Sequence, residues 1–455
     1  MDSSEHLSPA LQSLKIPPEF IHRDDEDPQL ETRLERWRED AGRAIELLRK
    51  RLAYQESLRR EQDLQQAGPS RLPNAELTPE EQTEIIAALA PFEDDERWSS
   101  GGLREAAHDI LESSFAEPTR GTLAPTREIL TRLLTTKIKP AFQGSPHPQL
   151  NTSTGRKLPR QAGGAMAGQD FYEEQAWKAD ASAVALVGWC ARHMDKDAYE
   201  DLWHLIIPPV MTLLDDYQSA YKLRGIVVVR DMLARVPAGL LKRTGVAALL
   251  QTSLNKSLGV TEGPHAPAIL REASAAILSL VALTTVEGSR ERFDQLCALL
   301  GDGIIGTTWT YASREKDVML ASLQALPAVV DALGVGAARY LRVLVSQLSH
   351  VLEEDMPMKH QLASLEALDS VLRQCGPCIH RWRGTLLDGI ARAWVRLMEK
   401  QIACGEEEKD VLVTRLRGAC ASLDAVCAPA SADFGRLLAA DPAVFRGLLE
   451  HARRA

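Results

Sequence analysis

Aromatic side chains are scarce: Phe, Trp and Tyr make up 5% of the 455 residues. The alternation of Val, Thr and aromatic residues that marks half-buried strands is nearly absent. A core must therefore come from Leu, Ala, Val and Ile, a mixture that suits helices. Clustered basic charge is missing too. No run of five Lys or Arg residues occurs, and the formal net charge is -10. This disfavours nucleic-acid phosphates as a general partner, because counterion release needs clustered cations. No stretch approaches the length of uninterrupted apolar residues that a membrane span needs. The opening "MDSSEHLSPALQS" has neither the basic flank nor the apolar block of a signal peptide. The seven cysteines are scattered and odd in number, as in a reducing compartment, so cytoplasm and nucleus are the expected locations.

Catalytic frames are equally hard to find. H-E-x-x-H and G-x-S-x-G do not occur, and no carboxylates pair in a recognisable frame. "TSTGRK" at 152–157 lacks the phosphate-loop frame and follows no strand. "CGPC" at 375–378 matches the redox letters of thioredoxins but follows the helical run "HQLASLEALDSVLRQ". Gly376-Pro377 reads as that helix's stop signal, so Cys375 and Cys378 are expected in an inter-helix turn. His380 stands close by without a second Cys or His pair at zinc-ligand spacing. No cofactor or metal is expected. One enzyme reading stays open, thiol redox chemistry at Cys375 and Cys378.

What is present is helical and repetitive. Residues 1–75 form a polar N-terminal region. It holds the acidic "HRDDEDP" (22–28), a charged helix over about 28–66 and the linker "AGPSRLPNAEL". The helix carries an incomplete apolar stripe of Leu34, Trp37, Ile45, Leu48, Leu52 and Leu58, which suits weak packing or docking on a partner. Thr78, Pro79 and Glu81 predict a capped helix start. Residues 76–139 then read as the first solenoid helices, at about 80–90, 103–115 and 126–138. A long loop at 140–169 is rich in Gly and Pro and contains no acidic residue. Loops of that length are usually functional or disordered, and its basic charge makes Arg156 and Lys157 candidate contact residues.

Residues 170–455 carry the repeat. "LASLQAL" (320–326) and "LASLEAL" (362–368) lie 42 residues apart, each followed by a short apolar remainder and Gly. Ala273-Ser274 in "REASAAIL" precedes Ala321-Ser322 by 48 residues, and another 48 back lands on Gly225. Such spacing predicts an all-α fold, a HEAT- or armadillo-like α-solenoid of irregular helical hairpins. "LWHLIIPPVMTLLDDYQSAYKLRG" (202–225) then reads as one hairpin corner. Pro208 and Pro209 bend the first helix, Asp215 and Asp216 form the turn, and Lys222 and Arg224 lie on the second helix within reach of turn aspartates. An inter-repeat Asp–Arg ladder is the structural reading, and partner contact the alternative. "GTTWTYAS" (306–313) places Trp309 and Tyr311 in a loop, as buried anchors or as an exposed contact patch.

The corner sequence, together with "ALVGWCARHM" (185–194), "HPQLNTSTGRKLPR" (147–160) and "DFYEEQAWK" (170–178), resembles the Tel-two-interacting (Tti) protein family. More narrowly it resembles the second Tti subunit in a fungal form, over about residues 120–380. The resemblance implies a non-catalytic helical subunit of the TTT (Tel–Tti–Tti) co-chaperone complex. It implies binding to the larger Tti subunit, through the helical repeats, and to the Tel-two subunit. Indirect partners would be the 90-kDa heat-shock chaperone and PI3-kinase-like kinases, whose maturation links the complex to telomere maintenance, DNA-damage signalling and growth control. Trp203, Pro208, Pro209, Asp215, Asp216, Tyr221, Lys222, Arg224 and Gly225 are the residues that carry this likeness. Nucleic acid and membrane are not expected partners. A generic HEAT-repeat adaptor, of transport or phosphatase type, is the alternative.

Overall fold

The computed structural model describes residues 7–21, 27, 29–65, 77–114, 126–144, 146–162, 175–354, 356–399 and 406–449. Most of the acidic stretch at 22–28, most of the linker after Gln66, the end of the 140–169 loop and residues 170–174 lie outside these. The described chain divides into two compact units: residues 1–216 with 227–249, and residues 217–226 with 250–455.

The helices in chain order begin with α1 (Leu7–Ser13), α2 (Pro18–Ile21), α3 (Leu30–Gln65), α4 (Pro79–Leu89) and α5 (Gly101–Ser114). α6 (Arg127–Arg132) runs on as a π-helix over Leu133–Ile138 and a final turn at Lys139–Phe142. A hairpin of β1 (Leu150–Asn151) and β2 (Arg156–Lys157) precedes α7 (Ala181–His193) and α8 (Lys196–Leu214). Then come α9 (Ser219–Leu233), α10 (Ala238–Thr244), α11 (Val246–Ser257) and α12 (Ala266–Thr284). They are followed by α13 (Arg290–Cys297), α14 (Lys316–Leu333), α15 (Leu341–Glu353), α16 (Met358–Cys375) and α17 (Arg383–Met398). α18 (Glu406–Val426), α19 (Ala430–Ala440) and α20 (Pro442–Leu449) complete the set.

Local chemistry explains the first unit's entry. Thr78 accepts from the Glu81 amide while the Glu81 carboxylate takes the Thr78 amide, closing the capping box that starts α4. α3 buries Leu34, Ala41, Ala44, Ile45, Leu48 and Leu52. Trp37 is half-buried and stacks on Phe92, with ring centroids 5.8 Å apart. The side chain of Leu58 is among those not described.

In the second unit the repeat is physical. α12 packs on α14, α14 on α16 and α16 on α18, while α15 packs on α17 in the neighbouring layer. The self-matching stretches occupy equivalent places. Ala321, Ser322 and Leu323 are buried, as are Ala363, Ser364 and Leu365. Gln324 and Glu366, the one position at which the two stretches differ, are both exposed. Small residues let adjacent helices approach, and their hydroxyls are used: Ser364 donates to the Leu348 carbonyl at 3.0 Å. Polar side chains repeat the same register. Lys359 binds Asp317 at 2.9 Å and Arg373 binds Asp331 at 2.9 Å, each across 42 residues. Asp–cation pairs of this kind thus link α14 and α16 across the repeat. Residues 266–284 and 316–353 are long and apolar enough to cross a membrane by length and composition, but half of each such window is buried in the fold.

The loop expected at 306–313 is helical as far as Tyr311. α13 continues as a π-helix over Ala298–Thr308 and ends in the turn Trp309–Tyr311. Glycine and threonine misled the reading for physical reasons. A Cβ on Gly301 would stand 2.6 Å from the Tyr340 hydroxyl, and one on Gly303 2.5 Å from Leu258, so these glycines serve close approach. Thr307, Thr308 and Thr310 turn their hydroxyls back onto carbonyls five residues earlier, the reach of π-helical turns.

These observations separate what holds the stack from what decorates it. Leu323→Ala, at a fully buried position, is expected to cost about 2–5 kcal/mol in denaturant unfolding, through lost transfer energy and a cavity. Asp317→Asn, which removes an exposed ladder bond, is expected to leave the melting temperature unchanged. Equal losses from the two would show that the ladder, and not apolar burial, sets the stability.

Candidate functional site

The corner at the end of α8 is built from two distant stretches of chain within the first unit. α8 starts where Asp195 accepts the Ala198 amide at 2.7 Å. Pro208 and Pro209 lie inside it, each removing a backbone donor. Helical backbone nevertheless runs through to Leu214, with Leu205, Ile206, Ile207, Val210, Met211, Leu213 and Leu214 buried around the prolines. Packing supplies what the missing hydrogen bonds do not. The Thr212 hydroxyl donates to the Pro208 carbonyl at 3.1 Å.

Three contacts fasten described residues of the 142–178 segment onto this helix end, and one ring stack joins the segment to itself. The Trp203 indole donates to the Gly155 carbonyl at 2.8 Å. Gly155 takes φ +63°, and a Cβ there would stand 2.7 Å from the Trp203 ring, so both conformation and space demand glycine. The turn is shaped by Asn151, whose side-chain oxygen accepts the Ser153 and Thr154 amides. Asp215 meets His147 Nε2 at 2.9 Å. Asp216, with no exposed surface, pairs with Lys178 Nζ at 2.9 Å. Finally Phe142 stacks on Trp177 with centroids 5.3 Å apart and planes at 9°, and Lys178 Nζ lies 5.3 Å from the Trp177 ring centre.

Of the residues chosen from sequence, the structure thus gathers Trp203, Pro208, Pro209, Asp215 and Asp216 into one clasp. All five are at least half-buried. The partners found for the two aspartates lie 68 and 38 residues upstream, where no spacing rule points. Tyr221, Lys222 and Arg224 occupy the first turns of α9, each half-buried and engaged with neighbouring groups; Gly225 beside them is buried. Arg156 and Lys157 are exposed on β2. Trp309 is an anchor, donating to the Ser322 hydroxyl at 2.9 Å, whereas Tyr311 is 74% exposed. Sequence reasoning assigned no role to His147, Gly155, Trp177 or Lys178. All four lie in the stretches 147–160 and 170–178 that carry the family likeness, and Gly155 had a further local signal in the Asn-Thr-Ser-Thr-Gly turn.

The clasp offers geometry for holding, since Asp215 faces the His147 imidazole and Asp216 the Lys178 ammonium of the same unit. Among the described residues no three His, Cys, Asp or Glu side chains gather as metal ligands. The CGPC thiols are separated by environment. Cys375 ends α16 fully buried, and burial pushes its thiol up to about 11, whereas Cys378 is exposed on the following 3-10 turn. A redox nucleophile needs the opposite shift.

Stacked helical hairpins with a 42-residue register and internally paired corners define a HEAT-repeat-like α-solenoid. A solved structure of Kap95p with RanGDP superposes with a TM-score of 0.53 at 13% identity, over 93% of this chain and 43% of that one. A Kap121p mutant aligns at 0.48 and 14% identity, over 99% of this chain and 36% of that one. Within that class the sequence is more particular. The Tti2 family model matches residues 85–357, and the chain belongs to the Tti2 family. TELO2-interacting protein 2 of Rattus norvegicus is 25% identical over 217 residues, 45% of this chain and 40% of the rat protein. The whole clasp lies inside the family match.

Two outcomes follow from the geometry. Asp216→Ala leaves the Lys178 ammonium buried without this carboxylate, and is expected to cost about 3–5 kcal/mol in unfolding experiments. Lys178→Met/Asp216→Leu, which removes both charges, is expected to recover most of that loss; a double variant no better than the single one would contradict the pairing argument. Alkylation of the native protein at pH 8, read by peptide mass mapping, is expected to modify Cys378 and spare Cys375. Rapid modification of Cys375 would restore the redox reading.

Proposed function

We propose that the protein is a non-catalytic scaffold subunit of the TTT co-chaperone complex. It binds the larger Tti subunit and, with the Tel-two subunit, supports maturation and stability of PI3-kinase-like kinases by the 90-kDa heat-shock chaperone. The observation that carries this reading is the family match over residues 85–357. The rat relative's name, which describes an interaction with TELO2, supports it. So does the clasp, whose buried ion pair and left-handed glycine serve to hold shape. A solenoid presents extended surface, and association is its physical default. The scattered, odd-numbered cysteines suit a reducing compartment, and on that ground we place the protein in cytoplasm and nucleus. The generic adaptor reading rests on the Kap95p superposition, which at 13% identity speaks for fold alone.

Affinity capture of the full chain from native lysate, followed by mass spectrometry, tests the proposal. Recovery of the larger Tti subunit and a TELO2-type protein is expected. Recovery of neither would overturn it. Arg156→Glu/Lys157→Glu, altering exposed cations on a well-anchored hairpin, is expected to melt normally and to capture several-fold less of the larger Tti subunit. Asp215→Ala/Asp216→Ala is expected to lose capture and stability together, because the clasp is architecture.

A further inference from the structure

α3 carries a second surface that stays exposed among the described residues. Arg36, Asp40, Arg43, Leu47, Lys50 and Tyr54 follow one another at alternating spacings of four and three. In a helix that spacing forms one continuous seam. All six are exposed, and Leu47 and Tyr54 keep 58% and 63% of their surface in solvent. The buried residues of the same helix, from Leu34 to Leu52, lie on another face. Two rows run along the seam: cations at 36, 43 and 50, and Asp40, Leu47 and Tyr54 beside them, each row with a seven-residue step.

The surface is preformed. The Trp37–Phe92 stack, the Arg38 bond to the Arg97 carbonyl and Leu103 against Gly42 hold the helix to the first unit. Arg43 pairs with Asp40 and Lys50 with Glu46, both along the exposed helix. Such short-range surface pairs are weak, so an incoming carboxylate exchanges with them at little cost. Arg36 forms no ion pair among the described residues.

We infer that this outward seam of α3 docks an acidic amphipathic helix of a protein partner, with Leu47 and Tyr54 as apolar anchors and Arg36, Arg43 and Lys50 facing its carboxylates. A row of three cations beside the apolar pair Leu47 and Tyr54 outweighs the single Asp40 and is complementary to a helix with Glu or Asp beside its Leu positions. A second copy of α3 would add three more cations to the seam and only one carboxylate, Asp40, to match them, and a bilayer would find only two large apolar side chains to bury. The inference goes beyond the proposed function, because α3 ends before the family match begins at residue 85.

The test uses the full chain and a synthetic three-heptad peptide with Leu at the core positions and Glu at the flanking ones, in fluorescence anisotropy. Binding is expected, weakening as salt rises. It should fall at least about tenfold in Arg36→Glu/Arg43→Glu/Lys50→Glu, and also in Leu47→Ser/Tyr54→Ser, with melting unchanged. Should the charge variant melt lower, the Leu47→Ser/Tyr54→Ser pair decides. The idea fails if the Glu peptide does not bind, if a Lys-flanked peptide binds equally, or if the surface variants bind like wild type. It fails equally if these substitutions instead abolish binding to phosphatidylserine vesicles or a concentration-dependent dimer.

Discussion

A helical hairpin cannot bury its own apolar face, and every other feature of this protein answers to that constraint. α14 is covered on one side by α12 and on the other by α16, and α16 in turn needs α18. The requirement selects Ala and Ser at the crossing points, because a larger side chain at Ala321 or Ala363 would hold the next helix away. It also explains the register. Once the layer spacing is set at 42 residues, Asp317 and Asp331 find Lys359 and Arg373 at that separation without further instruction. The ladder is a consequence of stacking, and exposed pairs of this type are poor sources of stability.

The corner obeys a different economy. Burying Asp216 and Lys178 costs several kcal/mol of desolvation for each charge, and their attraction returns that only in good geometry. An apolar pair would stabilise as well, so what the ion pair adds is discrimination. Only one placement of the 142–178 segment brings Lys178 to Asp216, His147 to Asp215 and the Gly155 carbonyl to the Trp203 indole together. That segment would otherwise be a long loop over an apolar helix. The clasp fixes its described parts, 142–144, 146–162 and 175–178, against α8.

How much of this was legible follows the range of each interaction. The capping box at Thr78, the end of α16 before Gly376 and the equivalence of 320–326 with 362–368 depend on neighbours in sequence, and were readable. Trp203, Asp215 and Asp216 were recognisable as special, but their pairing with Gly155, His147 and Lys178 was not. Proximity across 38 to 68 residues leaves no periodic trace. The π-helical continuation of α13 was misread because glycine has two uses. Turn chemistry and close approach call for the same residue, and Tyr340 and Leu258, which require the close approach, lie far along the chain.

The same logic places binding capacity where stacking leaves choice. Residues that meet the packing constraint cannot vary freely, whereas the α3 seam is free of it: Leu47 and Tyr54 are exposed although their helix is anchored. Between Arg36 and Tyr54 the seam runs about 27 Å at the helical rise. A single helix laid along it makes an interface at the small end of the stable range, below about 1,200 Å² of total buried surface. Such a contact is weak alone and matters when a second contact holds the same partner nearby, since linkage turns the later event into an intramolecular one. A seam of this size therefore adds affinity and orientation to an assembly held mainly elsewhere, and its charges act chiefly on encounter rate and partner choice.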